Sequence, residues 1–77
     1  MSALLKKISG KKCVRILCNK FGFCIKRQKG SHILLVKEDE NGTTVAVVPN
    51  HKELALGTLK GILKMAKIDE ENFAAFQ

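Results

Sequence analysis

Apolar residues recur at helical spacing in two stretches of the chain. In the first stretch, Ser9 is a suitable cap and Gly22 a suitable stop, which predicts a helix near residues 10–21. In the second stretch, Thr58 is a suitable cap, and Asp69 then caps a short last helix. The predicted apolar faces of the two longer helices consist of Val14, Leu17, Cys18 and Phe21, and of Leu59, Ile62, Leu63 and Ala66.

Between these helices, alternating and β-branched residues predict three strands, over residues 23–28, 32–37 and 43–48. The segment Lys29-Gly30-Ser31 is typical of a tight turn between the first two strands. A polar segment, residues 38–42, ends in Asn-Gly and favours a second hairpin. The order of elements is therefore α-β-β-β-α.

This order predicts an α+β fold for one domain, residues 1–77, with residues 1–8 as a basic lead-in. A three-stranded antiparallel sheet would carry two helices on one face, with a short C-terminal helix added. The same order of elements is found in the double-stranded-RNA-binding domain.

Two of the strands have faces that the sequence helps to assign. In the first strand, Phe23 and Ile25 share one face, and the other face carries Cys24, Lys26 and Gln28. In the second strand, Ile33 and Leu35 point one way, whereas Leu34 and Val36 point the other. Because two helices can bury only one face, we expect the other to be partly exposed, which suggests a partner or a dimer; the alternative is that the loops and the tail cover it.

Charge is the first indication of function. The net charge is +7, and residues 1–29 contain nine Lys or Arg and no acid, whereas residues 30–77 contain five bases and seven acids. Such a field attracts nucleic acid or an anionic membrane, although a solubilising surface would also be basic. No apolar run approaches the roughly 20 residues that span a bilayer, and the start does not resemble a signal peptide. We therefore expect a cytoplasmic protein that binds a polyanion.

The cysteines do not indicate a metal site. Cys13, Cys18 and Cys24 form no CxxC pair, and a zinc site would need better spacing and a fourth ligand. We predict that they are reduced and mostly buried, and that the protein needs no metal or other cofactor.

His32 is the best candidate for catalysis. RNA carries its own nucleophile, the 2′-hydroxyl, so a ribonuclease needs a group that moves a proton and cations that stabilise the phosphate. His32 follows a turn in which Gly30 allows close approach of RNA and Ser31 can donate a hydrogen bond, while Arg27 and Lys29 supply charge. Taken alone, Gly-Ser-His is a weak signal and is more typical of a strand-end histidine satisfied by solvent. His51 lies in a loop and is more simply explained as an exposed side chain.

Four lysines are candidates for binding RNA. Lys11 and Lys12 fall in the first helical turn, where the helix dipole disfavours cations unless they hold an anion. Lys60 and Lys64 lie one turn apart in the second helix and suit either a phosphate clamp or a solvated face.

The segment Arg27-Gln28-Lys29-Gly30-Ser31-His32 closely resembles the RQ-x-GSH motif of HicA toxins. The rest of the family pattern is similar to two further parts of the chain. The first is Ser9-Gly10-Lys11 with the following helix to Phe21-Gly22-Phe23. The second is Val47-Val48-Pro49-Asn50-His51 with Leu56-Gly57-Thr58-Leu59. The likeness covers residues 9–76 in order. Lys67 departs from it, because the family commonly has Gly there, after the helix.

The resemblance implies a fold similar to double-stranded-RNA-binding domains and a toxin that cleaves mRNA with His32. It also implies a HicB-type antitoxin, in a complex of higher order, that we expect to cover His32 and the apolar hairpin face. A non-catalytic RNA-binding module with the same fold and basic face is the main alternative, and a nucleoid- or ribosome-associated protein is a third. The chain has no Tyr or Trp, so base stacking would rest on phenylalanine or be minor.

Overall fold

The computed structural model describes residues 5–77 and has the predicted order of elements. The first helix, α1, is followed by three strands and two further helices. The bounds are α1 Gly10–Lys20, β1 Cys24–Lys29, β2 His32–Asp39, β3 Gly42–Pro49, α2 Leu56–Ala66 and α3 Glu70–Ala74. The α+β, α-β-β-β-α fold class is confirmed.

The sheet is antiparallel, with β2 between β1 and β3, and one of its faces is covered. The helices α1 and α2 both pack on β3, and α1 also contacts β1. The buried sheet residues are Ile33, Leu35, Ala46 and Val48. They share one core with the apolar faces of α1 and α2 and with Phe73 of α3. None of the helices within residues 5–77 has the length and apolar character required to cross a membrane.

The start of α1 is tied to the end of β3. The Ser9 side chain caps the helix by accepting a hydrogen bond from the Lys12 backbone N–H at 3.0 Å, as predicted. The Gly10 N–H donates to the His51 carbonyl at 2.9 Å, and the Asn50 N–H donates to the Ser31 carbonyl. These bonds bring α1, the β1–β2 turn and the segment after β3 together at one end of the sheet.

The second helix begins earlier than the sequence predicted. Its cap is Ala55, which makes no side-chain capping bond, so the prediction of Thr58 as the cap is wrong. Leu54 is buried, and its N–H donates to the Ile8 carbonyl at 2.8 Å. Because Leu54 anchors the chain directly before α2, the helix starts at Leu56 and Thr58 lies within its first turn. Asp69 is the cap residue of α3, but its side chain makes no capping bond.

Strand β1 is an edge strand without a buried residue. Phe23 precedes it and is buried, whereas Ile25, predicted to share its apolar face, is 56% exposed. Ile25 pairs with the buried Leu35, but α1 contacts β1 without covering its side chain, so only the residue before the strand enters the core.

The residues that lead into α1 are packed against the rest of the chain rather than forming a detached basic segment. Ile8 is buried, the Lys6 N–H donates to the Gln77 side-chain oxygen at 2.9 Å, and the Gln77 amide donates to the Lys6 carbonyl at 2.6 Å. Residues 1–4 of the predicted lead-in lie outside the described residues.

The three cysteines are free, but only one is fully buried. Burial raises the pKa of the Cys13 thiol to about 12. Cys18 is partly buried, and its pKa is raised by burial and, secondarily, by the charge of Cys24. Cys24 is exposed, which corrects the expectation of mostly buried cysteines; it pairs with Val36 and so lies on the sheet face opposite the helices.

We predict that Gly10→Ala strongly destabilises the protein. A Cβ at residue 10 would clash with the Pro49 carbonyl oxygen and lie 3.1 Å from the Asn50 Cα, and neither backbone group can move without disturbing β3. We expect a loss of about 3 kcal/mol in the free energy of unfolding, measured by urea denaturation. The matched control is Gly61→Ala in α2, where a Cβ meets no atom within 4 Å and should stabilise the helix by about 1 kcal/mol. Equal effects of the two substitutions would contradict the packing described here.

We also predict that Lys67→Gly stabilises the protein by about 1 kcal/mol. Lys67 ends α2 in the left-handed region, with φ of 59°, where a side chain is strained and glycine is not. Lys60→Gly, in the interior of the same helix, should instead destabilise by about 1 kcal/mol. Thermal denaturation of both variants measures the difference, and a fall in melting temperature for Lys67→Gly would disprove the strain.

Candidate nucleic-acid interface

The face of the sheet opposite the helices carries the candidate site. Directly paired residues of antiparallel strands point to the same face, so the partners of one open-face residue identify the others. Since Ile33 and Leu35 are buried in the core, the intervening residues of β2 point outward. From His32 to Val36, these open-face residues and their β3 partners are His32 with Pro49, Leu34 with Val47, and Val36 with Val45.

A β-bulge in β1 brings two cations to this face. Strict alternation from Ile25, which pairs with Leu35, would place Arg27 and Lys29 on the core face. The register shifts between Ile25 and Arg27, so that Arg27 pairs with Leu34 and Lys29 pairs with His32. The extra residue, Lys26, has no direct partner. Both cationic side chains therefore lie on the same face as His32.

The resulting cleft is shallow and open to solvent. It has a volume of about 180 Å³. Its lining residues are Arg27, Lys29, His32, Leu34 and Val47. The histidine and two of the cations predicted from the sequence are thus brought together. The arrangement offers a proton-transferring side chain beside two cations and two apolar side chains.

Gly30 and Ser31 form the two-residue turn that joins β1 to β2 beside this cleft. Gly30 has φ of 58°, a left-handed conformation that suits glycine in such a hairpin. No atom lies within 4 Å of where its Cβ would be, so the backbone there is open to a ligand. Ser31 is exposed, and its carbonyl accepts the hydrogen bond from Asn50.

A second basic depression lies at the start of α1. It has a volume of about 390 Å³. Its lining residues are Ser9, Lys11, Asn50, His51 and Lys52. Lys12 is exposed in the same helical turn. Because Asn50 bonds to Ser31, this depression and the cleft of His32 belong to the same end of the sheet. Sequence reasoning did not identify Lys52, since a single lysine in a loop carries no pattern.

Lys60 and Lys64 lie elsewhere. They line another depression, about 640 Å³, which is formed between α2 and α3. Three acids, Asp69, Glu70 and Glu71, line it as well and offset the lysine charge. A polyanion therefore gains less here than in the two depressions around β2 and α1, although this one is larger.

The phenylalanines are distant from His32. Phe21 stacks with Phe73 at 6.2 Å between ring centroids and meets Phe76 edge-on at 5.6 Å. This group lies at the far end of α1, about 16 Å from its start at the rise of an α-helix. Phe23 is buried in the core. Stacking of a base on phenylalanine at the cleft, which the sequence left open, is therefore absent among the described residues.

The described residues, 5–77, contain no group of three His, Cys, Asp or Glu side chains arranged to hold a metal ion.

Comparison with known proteins gave one match. The sequence model of the family described as "HicA toxin of bacterial toxin-antitoxin" matches residues 10–68. This range contains the whole sheet, α1, α2 and every residue that lines the cleft of His32. Neither the curated proteins nor the solved structures gave a match.

Proposed function

The chain belongs to the HicA toxin family, the toxins of bacterial toxin–antitoxin systems, and from this membership we propose that it is an endoribonuclease that cleaves mRNA through His32. The observation that carries the proposal is the cleft in which Arg27, Lys29 and His32 meet on an exposed sheet face. A histidine and two cations are the groups that cleavage of RNA by its own 2′-hydroxyl requires.

His32 would act as the general base and then as the general acid. The neutral imidazole takes the proton of the 2′-hydroxyl, and the 2′-oxygen attacks the neighbouring phosphorus. The bond to the 5′-oxygen then breaks, and that oxygen leaves with a proton from the imidazolium or from water. The products are a 2′,3′-cyclic phosphate and a free 5′-hydroxyl. No metal takes part in these steps.

Arg27 and Lys29 would stabilise the charge that builds up on the phosphorane oxygens during attack. Each pairs with an open-face residue of β2, so the backbone ladder fixes both cations relative to His32. Gly30 would allow the RNA backbone to approach the turn, and Ser31 would donate a hydrogen bond to it.

Lys11, Lys12, Lys60 and Lys64 would support affinity more than turnover. Lys11 lines the basic depression at the start of α1, and Lys12 is exposed beside it. Lys60 and Lys64 would contribute less, because acids of α3 share their depression.

An antitoxin of the HicB type is the proposed partner, in a complex of higher order. A protein that covered the open sheet face would bury apolar side chains such as Val45 and would block His32 directly. The strongly basic first part of the chain would speed its association with an acidic partner. We also expect mRNA cleavage and antitoxin binding to take place in the cytoplasm.

A non-catalytic RNA-binding module is the alternative function. It would use the same basic surface, but it would need lysines and no histidine at residue 32, because it transfers no proton. The first prediction below separates the two functions.

We predict that His32→Ala lowers kcat for cleavage of a single-stranded RNA by about 10²–10⁴-fold, because the general base is lost. RNA affinity should change by only a few-fold, since Arg27 and Lys29 remain. The matched control is His51→Ala, which should keep kcat within a few-fold. A His32→Ala protein that cleaves RNA at the wild-type rate would show that His32 is not the general base, whereas a wild-type protein that binds RNA without cleaving it would support the binding-module alternative.

The same assay tests the proposed chemistry. Cleavage should be unchanged in EDTA, and mass spectrometry of the products should find a 2′,3′-cyclic phosphate. Activity that EDTA abolishes and magnesium restores would show that the mechanism proposed for His32 is wrong.

We predict that the double variant Lys11→Ala/Lys12→Ala has a flatter salt dependence of RNA binding. Each phosphate contact to single-stranded RNA contributes about 0.7 to the slope of log affinity against log salt, so two lost contacts lower it by about 1.4. Lys60→Ala/Lys64→Ala is the matched pair and should change the slope less. An unchanged slope for Lys11→Ala/Lys12→Ala would contradict a role in binding phosphates.

A further inference from the structure

The floor of the His32 cleft is apolar, and the proposed chemistry does not use it. Leu34 and Val47 line the cleft beside the two cations and the histidine. They are direct partners across β2 and β3, so their side chains stand next to each other on the open face. Both remain partly accessible to solvent. A ligand of this cleft must therefore have an apolar part next to its negative charge.

The size of the cleft limits what that part can be. A volume of about 180 Å³ is below the range of roughly 300–1,000 Å³ typical of sites that enclose a whole small molecule. The cleft can hold one portion of a larger ligand that extends over the surface. A nucleotide within an RNA strand has this form, with an anionic phosphate and a flat base with apolar faces joined by a ribose.

Aromatic side chains, which usually contact such bases, are not present at the cleft. Phe23 lies in the core, and the other three phenylalanines form one group around the end of α1. Among the described residues that line the cleft, Leu34 and Val47 are the only apolar ones.

We propose that Leu34 and Val47 form the contact surface for the nucleobase next to the scissile phosphate of a single-stranded RNA. This inference rests on the proposed function and adds the side chains that contact the base beside the cleaved bond. Arg27 and Lys29 hold the phosphate at the rim, and the base lies on the two aliphatic side chains in the floor.

This contact selects unpaired RNA instead of a particular base. Leu34 and Val47 present only carbon atoms, so they cannot discriminate the hydrogen-bonding edges of different bases. They do require a free base face, and in a duplex both faces of each base are covered by stacking. The protein would therefore cleave single-stranded segments of varied sequence, although its order of elements is that of a double-stranded-RNA-binding domain.

The test compares Val47→Thr with Val45→Thr. Both residues are on the open face of β3, two positions apart, and both substitutions keep the β-branched shape, but only Val47 lines the cleft. The probes are a short 2′-O-methyl oligouridine and an abasic 2′-O-methyl oligomer of equal length. Methylation removes the attacking hydroxyl, so affinity is measured without cleavage.

The wild-type protein should bind the oligouridine about fivefold more tightly than the abasic oligomer. Val47→Thr should reduce this ratio to near one, and Val45→Thr should leave it unchanged. Leu34→Thr should act as Val47→Thr does, and thermal denaturation checks that each variant is folded. Val47→Thr should leave the affinity for oligouridine paired with oligoadenine unchanged, because no base face is free in the duplex.

Three results would overturn the proposal. The first is equal affinity of the wild-type protein for the two oligomers. The second is an equal effect of Val47→Thr and Val45→Thr on the ratio of the two affinities. The third is a Val47→Thr protein that keeps this ratio but associates more weakly with an antitoxin or with itself. Failure of the proposed activity has a different signature, since unmodified RNA would then stay uncut while the ratio between the methylated oligomers was retained.

Discussion

The register of β2 between its two neighbours is the constraint on which both the core and the cleft depend. Residues of a strand alternate between faces, so the register that buries Ile33 and Leu35 also makes His32 and Leu34 face outward. A slip of one residue would move His32 into the core and expose Leu35. Pairing with β3 over the full length of β2 resists such a slip. The burial of Ala46 and Val48 under the helices resists it as well.

The central features of the fold could be predicted because their signals are local. Ser9 and Gly22 bound α1, the Gly30-Ser31 turn sets the start of β2, and the apolar face of α2 follows a regular spacing. The resemblance to HicA toxins singled out His32 through the same turn. Its proximity to Arg27 and Lys29 could be expected because all three belong to one hairpin.

Other features depend on tertiary contacts and could not be predicted. The bulge at Lys26 has no sequence signal, yet it decides the face on which Arg27 and Lys29 lie. The early start of α2 depends on the burial of Leu54 against the segment before α1, and the exposure of Ile25 depends on how far the helices reach across the sheet. Likewise, the acids that share a depression with Lys60 and Lys64 come from a different helix, so charge counted along the sequence does not give the charge at a site.

The position of β1 at the sheet edge has a consequence for how this chain can change during evolution. An unpaired strand edge is a template for aggregation, and lysine and arginine residues along it are a common protection against it. Lys26, Arg27 and Lys29 all lie on this exposed strand. Under the proposed function, substitutions that remove the charges of Arg27 and Lys29 would weaken cleavage and would also remove part of that protection. Loss of toxicity by this route would carry a cost in solubility, whereas substitution of His32 would not.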